Sequence, residues 1–323
     1  MIVSKTPYRI PLSGGGTDVD FYYKKFGSKF ISATVNEYVY VFFIERKLDK
    51  NHMIQTSVVE FANNVKNIKH ALIRETVRYF GLKENFQIST VSTVPTSTGL
   101  GTSSAMVVGL INCIKRYKNL KLSQNEIFKI AYKIERKIAK FEGGWQDQIM
   151  SVFGGLVTTT ISKNEIIKIS KKKNINNIEK IINNHFLLVY SYQKRNSSKI
   201  IQAQKKNIKK TYEFYNKIKK FNLPMSYSIK NKKINLIGKI FNDHWKMKRN
   251  LTNNISNKGI NNLYNKIEKL DGFLGGKLIG AGGGGFFLIA VNNKKRIIND
   301  IIKNNLDYIN LKFENNGSKI IKT

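Results

Sequence analysis

A chain of 323 residues has room for two domains around sizeable cores, and 41% apolar with 11% aromatic residues excludes global disorder. A formal net charge of +35 raises nucleic acid, a membrane surface or anionic substrates as partners. The lysines, however, come mixed with asparagine and isoleucine at 171–180, 205–210 and 292–305, three amino acids that share A/T-only codons, and no aromatics interleave with them as base stacking requires; a solvated lysine-rich surface is expected, without nucleic acid.

In chain order, Ile2–Val3 and Tyr8–Leu12 read as strand, followed by a glycine turn, a helix-like segment and a β-branched, aromatic strand over Ile31–Ile44. Helical spacing marks 64–80, and Phe86–Val94 alternates as a strand does. A glycine turn at 99–101 opens an apolar helix to about Tyr117 that contains the single Cys113, a small core residue and not a nucleophile on this reading. Ser123–Lys140 reads as a helix with Ser123 and Glu126 in a capping box, and Val152–Ile161 as a strand. The polar stretch 163–184 leads to a strand at Phe186–Tyr192. Lysine-rich helices at about 198–221 and 232–270, a strand at Gly285–Val291 and a helix near 294–305 complete the chain. The order is that of an α+β protein, with domains expected at 1–184 and 185–323. The apolar runs are too short to span a bilayer and Met1–Pro7 has no signal-peptide character, so a cytoplasmic protein is expected.

Three glycine loops and two carboxylates carry the chemistry. The stretch Pro95-Thr-Ser-Thr-Gly-Leu-Gly-Thr-Ser-Ser-Ala105 follows a strand and enters a helix, whose free N–H groups and positive dipole end suit an anion. Glycines admit phosphate oxygens, and the hydroxyls of Thr102, Ser103 and Ser104 can donate to phosphate or ligate Mg²⁺. The loop lacks the Gly-Lys-Ser/Thr of a Walker motif. Arg9-Ile-Pro-Leu-Ser-Gly-Gly-Gly-Thr-Asp18 joins a cation, a glycine turn and a carboxylate. Lys277-Leu-Ile-Gly-Ala-Gly-Gly-Gly-Gly-Phe286 fits Gly-x-Gly-x-x-Gly, but a strand follows where a dinucleotide site needs a helix. Its glycines imply close backbone approach to a ligand or to neighbouring chain. Glu135, on a predicted helix, suits a Mg²⁺ that also takes phosphate oxygens, and Asp147, just past Gly143-Gly144, suits contact with a substrate hydroxyl.

In order and spacing these motifs resemble those of the GHMP kinase superfamily, along nearly the whole chain and most weakly between 163 and 265. Within it the likeness is greatest to heptose 7-phosphate kinases, which share Thr-Pro-x-Arg-Ile, Gly-Gly-Gly-Thr-Asp and Gly-Gly-x-Gln-Asp-Gln. The resemblance implies a two-domain fold, like the second domain of ribosomal protein S5 and then ferredoxin-like. It implies ATP with Mg²⁺ as cofactors and a small-molecule sugar phosphate as acceptor, in a monomer or homodimer. It assigns catalysis to Asp147 and Arg9, and ATP binding to Pro95, Ser97, Gly99, Leu100, Gly101, Thr102, Ser103 and Ser104. The metal falls to Ser103 and Glu135, and the sugar to Gly14, Gly15, Gly16, Thr17, Asp18, Gly282 and Gly283. The reaction implied is phosphorylation of the anomeric hydroxyl, giving a 1,7-bisphosphate.

Galactokinases carry Gly-Glu-His-Thr-Asp where this chain has Gly14-Gly15-Gly16-Thr17-Asp18, which disfavours galactose. Lys194, Arg195, Ser197 and Ser198 form either a cradle for a second phosphate or a plain basic helix start. Rival readings are a fucose or N-acetylhexosamine kinase of the same superfamily, or a non-catalytic sugar sensor, which would have no need of Glu135 and Asp147.

Overall fold

The computed structural model describes residues 1–193 and 197–323. From the N-terminus it runs β1 (Ile2–Ser13), α1 (Asp20–Phe26), β2 (Ser28–Glu45), β3 (His52–Gln55), β4 (Val59–Ala62), α2 (Ala71–Tyr79), β5 (Phe86–Ser92), α3 (Thr102–Tyr117), α4 (Gln124–Tyr132), α5 (Gln146–Phe153), β6 (Leu156–Ile161), β7 (Ile167–Lys171) and α6 (Asn176–His185). Then follow β8 (Phe186–Tyr190), α7 (Ser197–Lys206), α8 (Ile208–Lys220), α9 (Asn222–Lys230), α10 (Ile234–Lys248), α11 (Lys258–Ile267), β9 (Phe273–Leu278), β10 (Phe286–Val291), α12 (Lys294–Lys303), β11 (Tyr308–Asn310), β12 (Phe313–Glu314) and β13 (Lys319–Lys322).

Two sheets result. Among the described residues the larger has nine strands, with β13-β1-β2-β5-β3-β4 as its path, β12 and β6 attached through β2, and β7 through β6. At eighteen residues β2 is long enough to serve as its spine, pairing with β6 over Ser28–Ala33 and with β5 over Val39–Glu45. Its partner β1 contains Pro7 and Pro11, and the β1–β2 register shifts beside each, where a residue without an N–H is tolerated. The smaller sheet, β11-β8-β10-β9, is antiparallel throughout. β10 (Phe-Phe-Leu-Ile-Ala-Val) is buried at every position, so both its faces are covered and it shows no alternation. The fold is thus α+β, but the chain's end is not in the smaller sheet: β12 pairs with β2 and β13 with β1.

Local signals placed most elements. Ser123 and Glu126 form the expected capping box at α4. The helix expected to continue to Lys140 instead widens after Tyr132 into a π-helical turn, Lys133–Ile138. The strand expected from Val152 begins at Leu156, because 146–153 is helical up to Gly154. The polar stretch 163–184 holds β7 and the amphipathic α6, which buries Ile178, Ile181 and Ile182. The two long lysine-rich helices are each broken. Asn207, outside the helical region at φ −105° and ψ 56°, separates α7 from α8, while Asn257 starts α11 as its N-cap.

Candidate active site

The loop after β1, the loop before α3 and the N-terminus of α5 meet at the ion pair of Arg9 and Asp147. The guanidinium donates from Nε to Asp147 Oδ1 at 2.7 Å, with a second nitrogen 2.5 Å from the same oxygen. Its remaining nitrogen donates to the carbonyl of Gly99 at 2.5 Å, and Arg9 N donates to Leu100 O at 3.2 Å. Arg9 therefore ties Asp147 to the second glycine loop. Gly101 sits at φ +79°, and a Cβ there would meet the Asp147 carboxyl carbon at 3.2 Å. Both Arg9 contacts fall on Oδ1; among the described residues Oδ2 has no hydrogen-bond partner, and Asp147 lines both chambers that flank it.

Two chambers open on either side of this pair. The first is bounded by Ser97, Gly99, Gly101, Thr102, Ser103, Ser104, Glu135 and Ser198, and the second by Gly15, Gly16, Asp18, Gln146, Tyr215 and Lys277. Arg9, Arg136, Glu142, Asp147 and Ser197 border both. The loop residues expected to hold ATP thus line the first chamber, except Leu100, which is buried beneath it, and Pro95, whose carbonyl accepts from Thr98 Oγ1 at 2.9 Å. Gly15, Gly16 and Asp18, expected to hold the acceptor, line the second.

Glu135 is buried in the π-helical turn. Ser104 Oγ donates to its Oε2 at 2.6 Å, the Gln148 amide donates to the same oxygen, and Arg136 lies 3.8 Å away. Burial holds its carboxyl above the ordinary range, and Arg136 partly opposes that. Of the serines on α3, Ser104 touches Glu135 while Ser103 is exposed to the chamber. A buried carboxylate among hydroxyls is a hard-oxygen set that fits Mg²⁺ sharing phosphate oxygens. Among the described residues no three His, Cys, Asp or Glu cluster as a protein-only metal cage would require.

Asp18 accepts from the backbone N–H of Gln146 at 2.8 Å, and burial raises its carboxyl above the ordinary range. Gly144 makes that approach possible, since a Cβ there would overlap the Asp18 carboxylate. Thr17 turns inward, donating to Gly14 O at 2.7 Å and bonding Ser28, so it shapes the turn without lining the chamber. Gly14 faces the backbone of Lys29 and Phe30. Gly282 and Gly283, also expected to hold the sugar, do not line the second chamber; they pack against Ile255, Gly283 N donating to Ile255 O at 2.8 Å, while Gly280 and Ala281 line it. The third glycine loop approaches its own chain: Gly285 N donates to Gln193 O at 3.0 Å, and Phe286 N to Thr98 O at 3.3 Å. Lys194 and Arg195 lie outside the described residues; Ser198 faces the first chamber, not the second.

Arg136 was missed as a functional candidate although it adjoins Glu135 in Ile-Glu-Arg, a signal that could have found it. Gln148 and Lys277 stood inside motifs already singled out, beside Asp147 and at the head of the third glycine loop, whereas Tyr215 gave no local signal because a distant segment brings it in.

Residues 63–155 match the model of the GHMP kinases N terminal domain. With this fold and site, the chain is similar to the GHMP kinases, phosphotransferases that use ATP and a hydroxyl acceptor. Among curated relatives it is 29% identical over 294 residues to a D-glycero-alpha-D-manno-heptose 7-phosphate kinase of Campylobacter jejuni, covering 87% of this chain and 86% of the relative. A solved D-glycero-D-manno-heptose 1-phosphate kinase from Bacteroides thetaiotaomicron superposes with TM-score 0.81 at 23% identity, covering 100% of this chain and 99% of that one. A putative sugar kinase from Campylobacter jejuni superposes with TM-score 0.77 at 26% identity, covering 100% and 98%. Among the described residues no helix is long and apolar enough to cross a membrane.

Proposed function

We propose that this chain is a sugar-phosphate kinase that moves the γ-phosphoryl group of ATP to the anomeric hydroxyl of a heptose 7-phosphate. The observation that carries the reading is the Arg9–Asp147 pair standing between a loop suited to phosphates and a chamber suited to a polyol. The acceptor hydroxyl hydrogen-bonds to Asp147 Oδ2, the oxygen Arg9 leaves free, and Asp18 accepts from a second sugar hydroxyl. In-line transfer demands alignment and charge neutralisation more than covalent participation. Asp147 supplies the first by holding the nucleophilic oxygen and receiving its proton as the new O–P bond forms and the bond from the γ-phosphorus to the bridging oxygen breaks, releasing ADP. Arg9 and Arg136, bordering both chambers, supply the second to the phosphoryl oxygens. Glu135, with Ser103 or Ser104, would hold Mg²⁺, which when bound neutralises charge on the β- and γ-phosphates.

The heptose assignment is supported by the named relatives, which differ in where the existing phosphate stands. Coupled ADP release over heptose 7-phosphate, heptose 1-phosphate and unphosphorylated fucose and N-acetylhexosamines, with ³¹P NMR of the product, separates these cases. Heptose 7-phosphate should give the highest kcat/KM and a 1,7-bisphosphate. Asp147→Asn should lower kcat about 10²–10⁴-fold with ATP binding little changed. Comparable kcat in that variant would remove Asp147 from the mechanism, and a better acceptor among the other sugars would replace the heptose.

A further inference from the structure

We propose that His244, Lys248 and Lys277 on the floor of the acceptor chamber form a recognition site for a phosphate monoester that the acceptor already carries, an inference that rests on the sugar-phosphate reading above. His244 and Lys248 stand one helical turn apart on α10, so both side chains leave the same face. Lys277 reaches the same chamber from β9. All three side chains belong to deeply buried residues, exposed by 6%, 6% and 1%. Lys277 Nζ donates to the Leu12 carbonyl at 2.8 Å and lies 4.6 Å from the centre of the Phe241 ring. Among the described residues it makes no ion pair, and a carbonyl dipole solvates an ammonium without neutralising it. Lys248 Nζ is aimed by the carbonyls of Leu278 at 3.0 Å and Gly280 at 2.5 Å.

Among the described residues His244 Nδ1 is buried without a hydrogen-bond partner. Buried polar atoms are seldom left so, and His244 is among the residues that line this chamber. The chamber's carboxylates are engaged elsewhere: Asp147 by Arg9, Glu142 by Lys205 at 2.9 Å, and Asp18 by the Gln146 N–H. Burial, then the neighbouring cations, push both Lys277 and His244 well below their ordinary titration ranges. A bound dianion supplies the missing counter-charge and reverses that push. Donors converging from a helix face and a strand suit a tetrahedral group with several acceptor oxygens better than a neutral hydroxyl.

The test compares Lys277→Met and Lys248→Met with the wild type on heptose 7-phosphate and on free heptose. The kcat/KM ratio of phosphorylated to free sugar should fall about 10–10²-fold in each variant, as expected for a lost hydrogen bond to a charged group. A second reading needs no turnover: inorganic phosphate, added with AMPPNP filling the nucleotide chamber, should raise the Tm of the wild type but not of the variants. Should Lys277→Met fail to fold, Lys248→Met alone decides. A folded variant that keeps both the substrate ratio and the phosphate-induced Tm rise overturns the site. A wild type that uses no phosphorylated sugar sinks the parent reading instead, while a phosphate response abolished in the variants would still support the anion site.

Discussion

Asp18 and Glu135 are both carboxylates held in burial, and each shows how one environment is turned to a different end. Asp18 has its carboxyl raised mainly by burial, against the help of the Gln146 N–H. A raised acid contributes its full stability below its ordinary titration near pH 4 and loses it as pH climbs through the raised value. Asp18→Asn keeps an oxygen for the Gln146 N–H but sheds the charge. Its Tm should exceed that of the wild type by about 1–4 °C at pH 8, and by less at pH 5. The same variant should raise the acceptor KM about 10-fold or more, by loss of a charged hydrogen-bond acceptor. Equal Tm differences at both pH values would mean that Asp18 ionisation is not coupled to folding. Glu135 is instead set beside a phosphate loop by Ser104 and Gln148. Glu135→Ala should raise the magnesium concentration for half-maximal rate about 10-fold, as a hard cation loses its one protein carboxylate. An unaltered magnesium titration would put the metal elsewhere.

At the scale of elements, the site depends on loops that close on one another. The third glycine loop, between β9 and β10, backs the nucleotide loop: a Cβ on Gly285 would overlap the Thr98 carbonyl, and its φ of +98° disfavours any side chain. Gly285→Ala should therefore displace the 95–101 loop and raise the ATP KM about 10-fold as well as lowering Tm. Gly81, also at positive φ (+57°) but in open space, gives the control. Gly81→Ala should cost about 1 kcal/mol of stability and leave the ATP KM alone. If the two variants shift KM alike, loop contact is not what Gly285 serves. The motif was visible in the sequence as a run of four glycines; that this run packs against its own chain was not, because the partners are Gln193, Ile255 and Thr98.

For the whole molecule, the two sheets contribute to one cleft, with β1, α3 and α5 on one side and α10, β9 and the β9–β10 loop on the other. A surface carrying +35 surrounds it, and both proposed substrates are polyanions. Raising ionic strength from about 0.05 to 0.5 M shortens the screening length to less than half, so kcat/KM for ATP and for the sugar phosphate should fall about 3–10-fold. kcat, measured at saturation, should change little. A salt-independent kcat/KM would make the positive surface a compositional trait with no part in substrate capture.

A family resemblance singled out Arg9, Glu135 and Asp147, while the sequence by itself determined the helix and strand periodicities, the capping box at Ser123 and the three glycine loops. These rest on neighbours within a few residues, where spacing and residue type suffice. Only the tertiary structure decided that Arg9 grips one oxygen of Asp147 across 138 positions, and that Ser104, 31 positions away, is the serine touching Glu135. It also carried β12 and β13 back to the first sheet and gathered His244, Lys248 and Lys277 under the acceptor chamber. Such contacts join residues far apart in the chain through burial and sheet pairing, and neither leaves a local pattern to read.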